Sequence, residues 1–417
     1  MSRLHKTIIS GAVFVGVILG TTFSGLSGAR ARGCELKIGA IGPLSGPAAQ
    51  WGISMVDAAT MAAAEANNTG GLPVGDERCH VSILSYDSKY SAEGAAAGAN
   101  SFASQGIKFI FGPVGAPEMT GIKPIASRNQ ILVFGDSYAK NAIGPQWPLV
   151  FHLGPGPNVW GPPVIEAAKI QWKIDTVVII APNDQGGTDI AIVAEQDYER
   201  QQIKAKSEYY QRGTTDFAPI ITRILSERPD AVDTVSSPPG DAGVIAKQLR
   251  QAGFNGPIGR LGGPDTEEIE RVAGGIDVLK NFYWYESTPT DDPKVRAISD
   301  EYAKATGKPP PQGTSLWQWV PDARLLLAAI SRAGTITNTT KVAEALRAMP
   351  VSDRNLGQGL WTGKKFFGIS QEASFPFGVR LIVDGKNLGV QRHEAAKTDA
   401  ERSIHRWIAF SKRRSLV

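Results

Sequence analysis

The chain has 417 residues, 42% of them hydrophobic and 20% charged, with a formal net charge of +4. That length supports two domains, each with its own core. The charge excess is small, and no basic stripe interleaved with aromatics runs through the body of the chain, so nucleic acid is excluded as a partner.

The first segment reads as an export signal. Arg3, His5 and Lys6 form a basic start, residues 7–23 are apolar and uncharged, and Ala29-Arg30-Ala31 is a small-residue cleavage site. Residues 1–31 are therefore expected to leave as a signal peptide. A membrane anchor competes with this reading, but Gly11, Gly16 and Gly20 interrupt the apolar run. Arg32 and Gly33 before Cys34 suit a lipoprotein signal poorly. No other stretch is long and apolar enough to span a bilayer.

Residues 36–52 organise the rest of the chain. An apolar run through Ile41 has the character of a buried parallel strand. A turn built from Gly42, Pro43, Ser45, Gly46 and Pro47 comes next, and residues 51–67 then repeat small and apolar side chains with helical spacing. A strand, a Gly-rich loop and a helix N-terminus make a ligand-facing corner of an open α/β sheet, and the loop N–H groups and helix dipole suit an anionic group. The spacing matches neither GxGxxG nor a P-loop. Trp51 either stacks on a ligand at this mouth or packs against a neighbouring loop.

Gly42, Ser45, Gly46, Ala49, Trp51 and Gly52 fit a G-x-x-S-G-x-x-A-x-aromatic-G pattern. The segment resembles the opening of the periplasmic solute-binding proteins of the branched-chain amino-acid (leucine/isoleucine/valine) ABC uptake family, and a more diffuse similarity continues to about Gly389. The resemblance implies a type I periplasmic binding fold: α/β, with two doubly wound parallel-sheet lobes joined by a hinge that the chain crosses three times. It also implies a periplasmic location.

The remaining elements keep that rhythm. Strands are expected over 81–86, 109–111 and 131–134, alternating with helices over 92–105, capped by Asp87 or Ser88, and from Pro117. Cys34 precedes the first strand and Cys79 the second. Parallel neighbours in a right-handed βαβ unit start at the same edge, so the two cysteines are expected to form a disulfide, which an oxidising compartment permits. After Gly154-Pro155-Gly156-Pro157 a second run begins: helices over 164–172, 188–201, 216–225 and 241–252, and strands over 176–180, 230–235 and 282–285. Helices over 293–307 and 320–333 return to the first lobe, and 380–383 with 388–390 form a terminal hairpin turned by Asp384-Gly385. Crossings fall near Gly154, Glu286 and Gly363. The first lobe is then 32–153 plus 286–363, the second 154–285 plus 364–392, and 393–417 is a basic C-terminal tail.

No catalytic constellation is present: there is no G-x-S-x-G, H-E-x-x-H or P-loop, so an enzyme is not expected. His5, His80, His152, His393 and His405 show no ligand spacing, and neither a metal nor any other cofactor is expected. A receptor needs loops that supply donors to a cleft. From the first lobe these are Ser45, Trp51, Gly115, Ala116, Ser137 and Tyr138. From the second they are Asp184, Gln185, Pro239 and Asp265. The Trp317–Trp319 pair, just before a helix, is expected to line the cleft, with core packing the alternative for Trp317.

The family resemblance also exposes departures. Gly115-Ala116-Pro117-Glu118 lacks the hydroxyls with which amino-acid-binding members hold an α-carboxylate. Ala139 does not fit the next Ser/Thr position. The acid that neutralises the ligand ammonium falls near Asp265, out of register. The expected ligand is thus an amino acid or, given the incomplete clamp, another carboxylic or aromatic acid. The expected partners are that small molecule and an inner-membrane ABC permease, and a monomer suits lobe closure. The same fold could instead serve as a ligand-sensing regulatory module.

Overall fold

The computed structural model describes residues 33–263, 266–311 and 313–394. The expected signal peptide and its cleavage site, Asp265, and the tail from residue 395 lie outside the described residues.

Strand Glu35–Gly42 is the centre of the first sheet. Its side chains are continuously buried from Ile38 onward, as expected of a strand covered on both faces. It pairs in parallel with Glu77–Asp87 on one side and Phe109–Val114 on the other. Strands Leu132–Asp136 and Val150–Leu153 extend the parallel run. Helix Ala49–Asn68 returns from the central strand so tightly that a Cβ on Gly52 would lie 1.9 Å from the Pro43 carbonyl oxygen, so only glycine fits there. Helix Ala92–Ser104 is capped not by Asp87 or Ser88 but by Ser91, whose hydroxyl accepts the Gly94 N–H at 3.0 Å. Asp87 instead accepts Leu44 N and Ser45 Oγ, both at 2.8 Å, and holds the Gly-rich loop.

The second sheet carries parallel strands Lys204–Tyr210, Thr176–Pro182, Ala231–Asp233, Ile258–Arg260 and Phe282–Glu286 in that spatial order. The hairpin Phe377–Val383/Lys386–His393 closes it antiparallel. Each sheet is covered on both faces by helices. Met55, Trp319, Leu326 and Phe111 share one core of the first sheet, and Phe102, Met119 and Ile110 share the other. The second sheet has the same arrangement, with Trp160, Ile190 and Tyr285 on one face and Ile221, Leu249 and Phe282 on the other. Two doubly wound α/β lobes are therefore observed, as the resemblance implied, with antiparallel strands at the sheet edges.

The chain changes sheet after Leu153 and after Glu286. The third change falls between Ser374 and Phe377, beyond the expected Gly363. The reason is a short strand, Glu372–Ser374, that pairs antiparallel with Leu360–Thr362 and parallel with Val150–Leu153. Residues 364–374, expected in the second lobe, therefore include a strand of the first sheet.

Cys34 and Cys79 form a disulfide with their Cα atoms 4.3 Å apart. The register places them together at the amino edge, where the Cys34 carbonyl accepts the His80 N–H at 2.8 Å. Among the described residues no helix is long and apolar enough to cross a membrane, and no group of His, Cys, Asp and Glu could hold a metal ion.

Candidate functional site

The carboxyl ends of the two sheets face each other across a cavity of about 440 Å³, its open mouth included. Parallel α/β sheets bind ligands at this edge. From the first sheet the wall comprises Trp51, Tyr90, the Val114–Ala116 turn, Asp136, Ser137 and Tyr138, with Trp319 beside them. From the second come Gly186, Arg212, Ser236 and Gly263, each just beyond a strand end or at a helix start. Four aromatic rings thus enclose the space, a surface suited to an apolar or planar body.

Direct contacts close the cleft around this cavity. Gln185 accepts a hydrogen bond from Thr120 Oγ1 and donates one to Asn141 Oδ1, both at 2.8 Å. The Lys140 N–H donates to Asp189 at 2.8 Å. The Arg212 guanidinium sits 4.3 Å from the Tyr90 ring centroid, a cation–π contact between the lobes. Gly186 and Gly263 are pressed against the first lobe: a Cβ on either would come within 2.9 Å of Ala116 or Trp51 respectively.

The polar inventory of the cavity is uneven. Trp51 Nε1, Trp319 Nε1 and Ser236 Oγ are buried without a hydrogen-bond partner, and so is Asp136 Oδ1. Orphaned buried polar groups are costly, and they cluster where something else completes them. Arg212 donates its Nε to Asp184, which leaves its Nη groups without a protein acceptor among the described residues. Beyond Asp136, His152 is fully buried, with Nε2 at 3.4 Å from Asp136 Oδ1 and Nδ1 at 3.6 Å from Glu372 Oε2. Burial pushes the Asp136 carboxyl up to about 6; His152 opposes that rise and Glu372 adds to it. Burial likewise raises Glu118, beneath the Val114–Ala116 turn, to about 8.

The second-lobe loops are held from behind. Arg260 is fully buried and donates to the Ser237 carbonyl at 2.8 Å and the Gly263 carbonyl at 3.3 Å. Asp233 accepts the Val235 and Leu261 N–H groups at 2.7 and 3.2 Å. Val235 is held at φ 30°, a conformation a β-branched residue adopts only under constraint.

The family model described as periplasmic binding protein matches residues 35–372. The chain belongs to the periplasmic binding protein family. This periplasmic binding protein is 26% identical over 320 residues to a leucine-, isoleucine-, valine-, threonine- and alanine-binding protein of Pseudomonas aeruginosa, covering 75% of this chain and 82% of the relative. Its fold superposes with a TM-score of 0.72 on a branched-chain amino acid transporter substrate binding protein of Streptococcus pneumoniae in complex with isoleucine. That pair is 18% identical, covering 86% of this chain and 99% of the other. A solute binding protein of an ABC transporter from R. palustris in complex with benzoate gives 0.71 at 18% identity, over 88% and 99% of the two chains.

Six residues named from sequence meet at the cavity of this binding protein: Trp51, Gly115, Ala116, Ser137, Tyr138 and Trp319. Trp319 does so from inside helix Ser315–Ala333, not from before it. Trp51 both lines the cavity and packs on a neighbouring loop, its ring centroid 6.1 Å from that of Tyr90. Four others lie elsewhere. Ser45 is exposed and spent on Asp87. Asp184 caps helix Gln185–Arg200 and pairs with Arg212. Gln185 bridges the lobes outside the cavity. Pro239 is buried in the first turn of helix Pro239–Gln251.

Arg212, Tyr90, Asp136 and Ser236 were not singled out from sequence. Arg212 follows strand Lys204–Tyr210, whose polar KAKSEYY sequence hides an edge strand; alternation along it was the available signal. Asp136 stands beside two residues that were named, inside the same loop.

Proposed function

We propose that this periplasmic binding protein captures a small organic acid, an amino acid or another carboxylic or aromatic acid, between its two lobes and delivers it to an inner-membrane ABC permease. The lobes follow the two sheets, and the three passages between them act as the hinge. One observation carries the reading: an aromatic-walled cavity between the sheets is lined by Arg212, whose guanidinium is the group best matched to a carboxylate. The unpartnered N–H groups of Trp51 and Trp319 and the Ser236 hydroxyl add donors for the same acceptor-rich ligand. The name of one relative, a leucine-, isoleucine-, valine-, threonine- and alanine-binding protein, agrees with a ligand of this class. In this reading no covalent step is involved, and the ligand leaves unchanged.

Export follows from the basic and apolar N-terminus, with removal of residues 1–31, and the mature protein works as a monomer. The test is a thermal-shift screen of the mature protein against aliphatic and aromatic amino acids, aromatic acids, short fatty and dicarboxylic acids, amides and polyols. A ligand bound only by the native state raises Tm. Hits confined to carboxylates support the reading; hits confined to polyols or amides refute it.

A further inference from the structure

We propose that the protein carries a second small-molecule site, a groove at the amino edge of the first sheet that takes an amphipathic monocarboxylate, with an aromatic or branched aliphatic body. The groove lies at the opposite edge of the sheet from the cavity between the lobes, so it is independent of the function proposed above.

The groove encloses about 480 Å³, its open mouth included, close to the volume of the inter-lobe cavity. Three segments build it: the end of helix Ala116–Asn129, residues 147–150, and one face of helix Thr339–Ala348. Ile131 and Leu149 each stand one residue before a parallel strand, which fixes the groove to the amino edge. With Val150 and Ala343 they form an apolar floor, no residue of which is more than 7% exposed. The half-buried Trp147 adds a flat wall. An apolar concavity of this size with few polar groups is the usual form of a small-molecule site. Ala343 and Arg347 are four residues apart, so the helix face that closes the floor also brings a guanidinium to the rim.

Arg347 gives the groove its charge, and its geometry is set in advance. Its Nε donates to Gln371 Oε1 at 2.9 Å, and its Nη2 donates to the same oxygen and to the Pro148 carbonyl. Its guanidinium carbon lies 5.3 Å from the Phe151 ring centroid. Gln371 is fully buried and anchored in turn on the Val150 carbonyl at 2.6 Å. A cation held this way loses little freedom when a ligand arrives. It forms no ion pair among the described residues; the carboxylate that acts on it, Glu344, stands one turn earlier on the same helix. Burial pulls its pKa below the usual arginine value and Glu344 only opposes that fall, as expected of a cation short of counter-charge. A second cation stands near the wall: Lys123 Nζ lies 5.5 Å from the Trp147 ring centroid and donates to the Asn141 carbonyl. An apolar floor, a flat aromatic wall and unbalanced positive charge together select an anion with an apolar body, and a carboxylate matches the planar guanidinium.

The experiment is a fluorine NMR titration of the mature protein with 4-(trifluoromethyl)benzoate and, separately, with its uncharged amide. The proteins are wild type, Arg212→Ala and the Arg212→Ala/Arg347→Gln pair. The expected result is saturable binding of the acid that survives Arg212→Ala, which removes the arginine of the inter-lobe cavity, and is weakened at least tenfold when Arg347→Gln is added. The amide should bind Arg212→Ala at least tenfold more weakly than the acid, a comparison that needs no change at Arg347. In wild type, saturation with the strongest thermal-shift hit should leave this component in place, a measurement that needs no variant. An acid that no longer binds Arg212→Ala and is fully displaced from wild type overturns the inference and supports the inter-lobe cavity alone. Equal affinity in the double variant, or an amide that binds as tightly as the acid, also overturns it. Silence in wild type overturns it and leaves the receptor reading to its own thermal-shift screen.

Discussion

Asp136 shows how a site residue can work against the fold that holds it. Its carboxyl is raised from 3.8 to about 6 because burial disfavours the charge. Between those values the native state holds more protons than the unfolded chain, so this group makes stability fall as pH rises. Above about pH 6 the full penalty, on the order of 3 kcal/mol, is present. Asp136→Asn removes it. The ligand-free variant should melt roughly 3–6 °C higher than wild type at pH 7.5, with the gap closing toward pH 4, in a calorimetric scan. An unchanged or lower Tm at pH 7.5 would show that the carboxylate is stabilised by partners other than His152. Sequence could not disclose this role. Asp136 sits between Gly135 and Ser137 in a loop that reads as ligand-facing through its backbone N–H groups and the hydroxyls of Ser137 and Tyr138, and only the fold buries its carboxyl beside His152 and Glu372.

Secondary elements were legible where apolar periodicity was strong and hidden where it was not. The central strand Glu35–Gly42 and the helix behind it declare themselves, because both faces of that strand are covered. Edge strands do not. Lys204–Tyr210 has one neighbour only and keeps charged residues, and with it went Arg212. The short strand Glu372–Ser374 carries too few residues for any period to register, and overlooking it displaced the third crossing. The cysteine pairing, by contrast, followed from βαβ geometry alone. The bridge spans a sequence separation of 45, for which chain entropy gives a stabilisation of about 4 kcal/mol. Reduction, or the Cys34→Ser/Cys79→Ser pair, should lower Tm by several degrees. Ligand affinity should change less than twofold, because the bridge lies at the amino edge of the sheet and the cavity at the carboxyl edge. A large loss of affinity without loss of Tm would contradict this separation.

At the scale of the molecule, the two-lobe architecture was readable from alternation of strands and helices, together with the opening motif. The fit between the lobes was not. Closure rests on glycines that let one lobe approach the other and on a few cross-lobe hydrogen bonds, and such contacts leave no pattern along a chain. Gly186 is the clearest case, since a Cβ there would stand 2.9 Å from that of Ala116. Gly186→Leu should hold the lobes apart. Its expected signature is a ligand affinity reduced at least tenfold, with the ligand-free Tm within about 2 °C of wild type and no compaction on ligand addition by small-angle scattering. Retained affinity with normal compaction would mean that closure does not run through this contact.

The central claim is that a carboxylate is held inside the closed cavity by Arg212. Trp51 and Trp319 line that cavity, so their emission reports occupancy directly. The most direct measurement is a fluorescence titration of wild type, Arg212→Ala and Arg212→Lys with the strongest thermal-shift hit. The account predicts a saturable change in wild type and a loss of affinity of about 10–100-fold in Arg212→Ala. Lysine should restore little of it, because a point charge cannot reproduce the planar fork. A hit that binds Arg212→Ala as tightly as wild type, or that leaves the tryptophan emission unmoved, would contradict it.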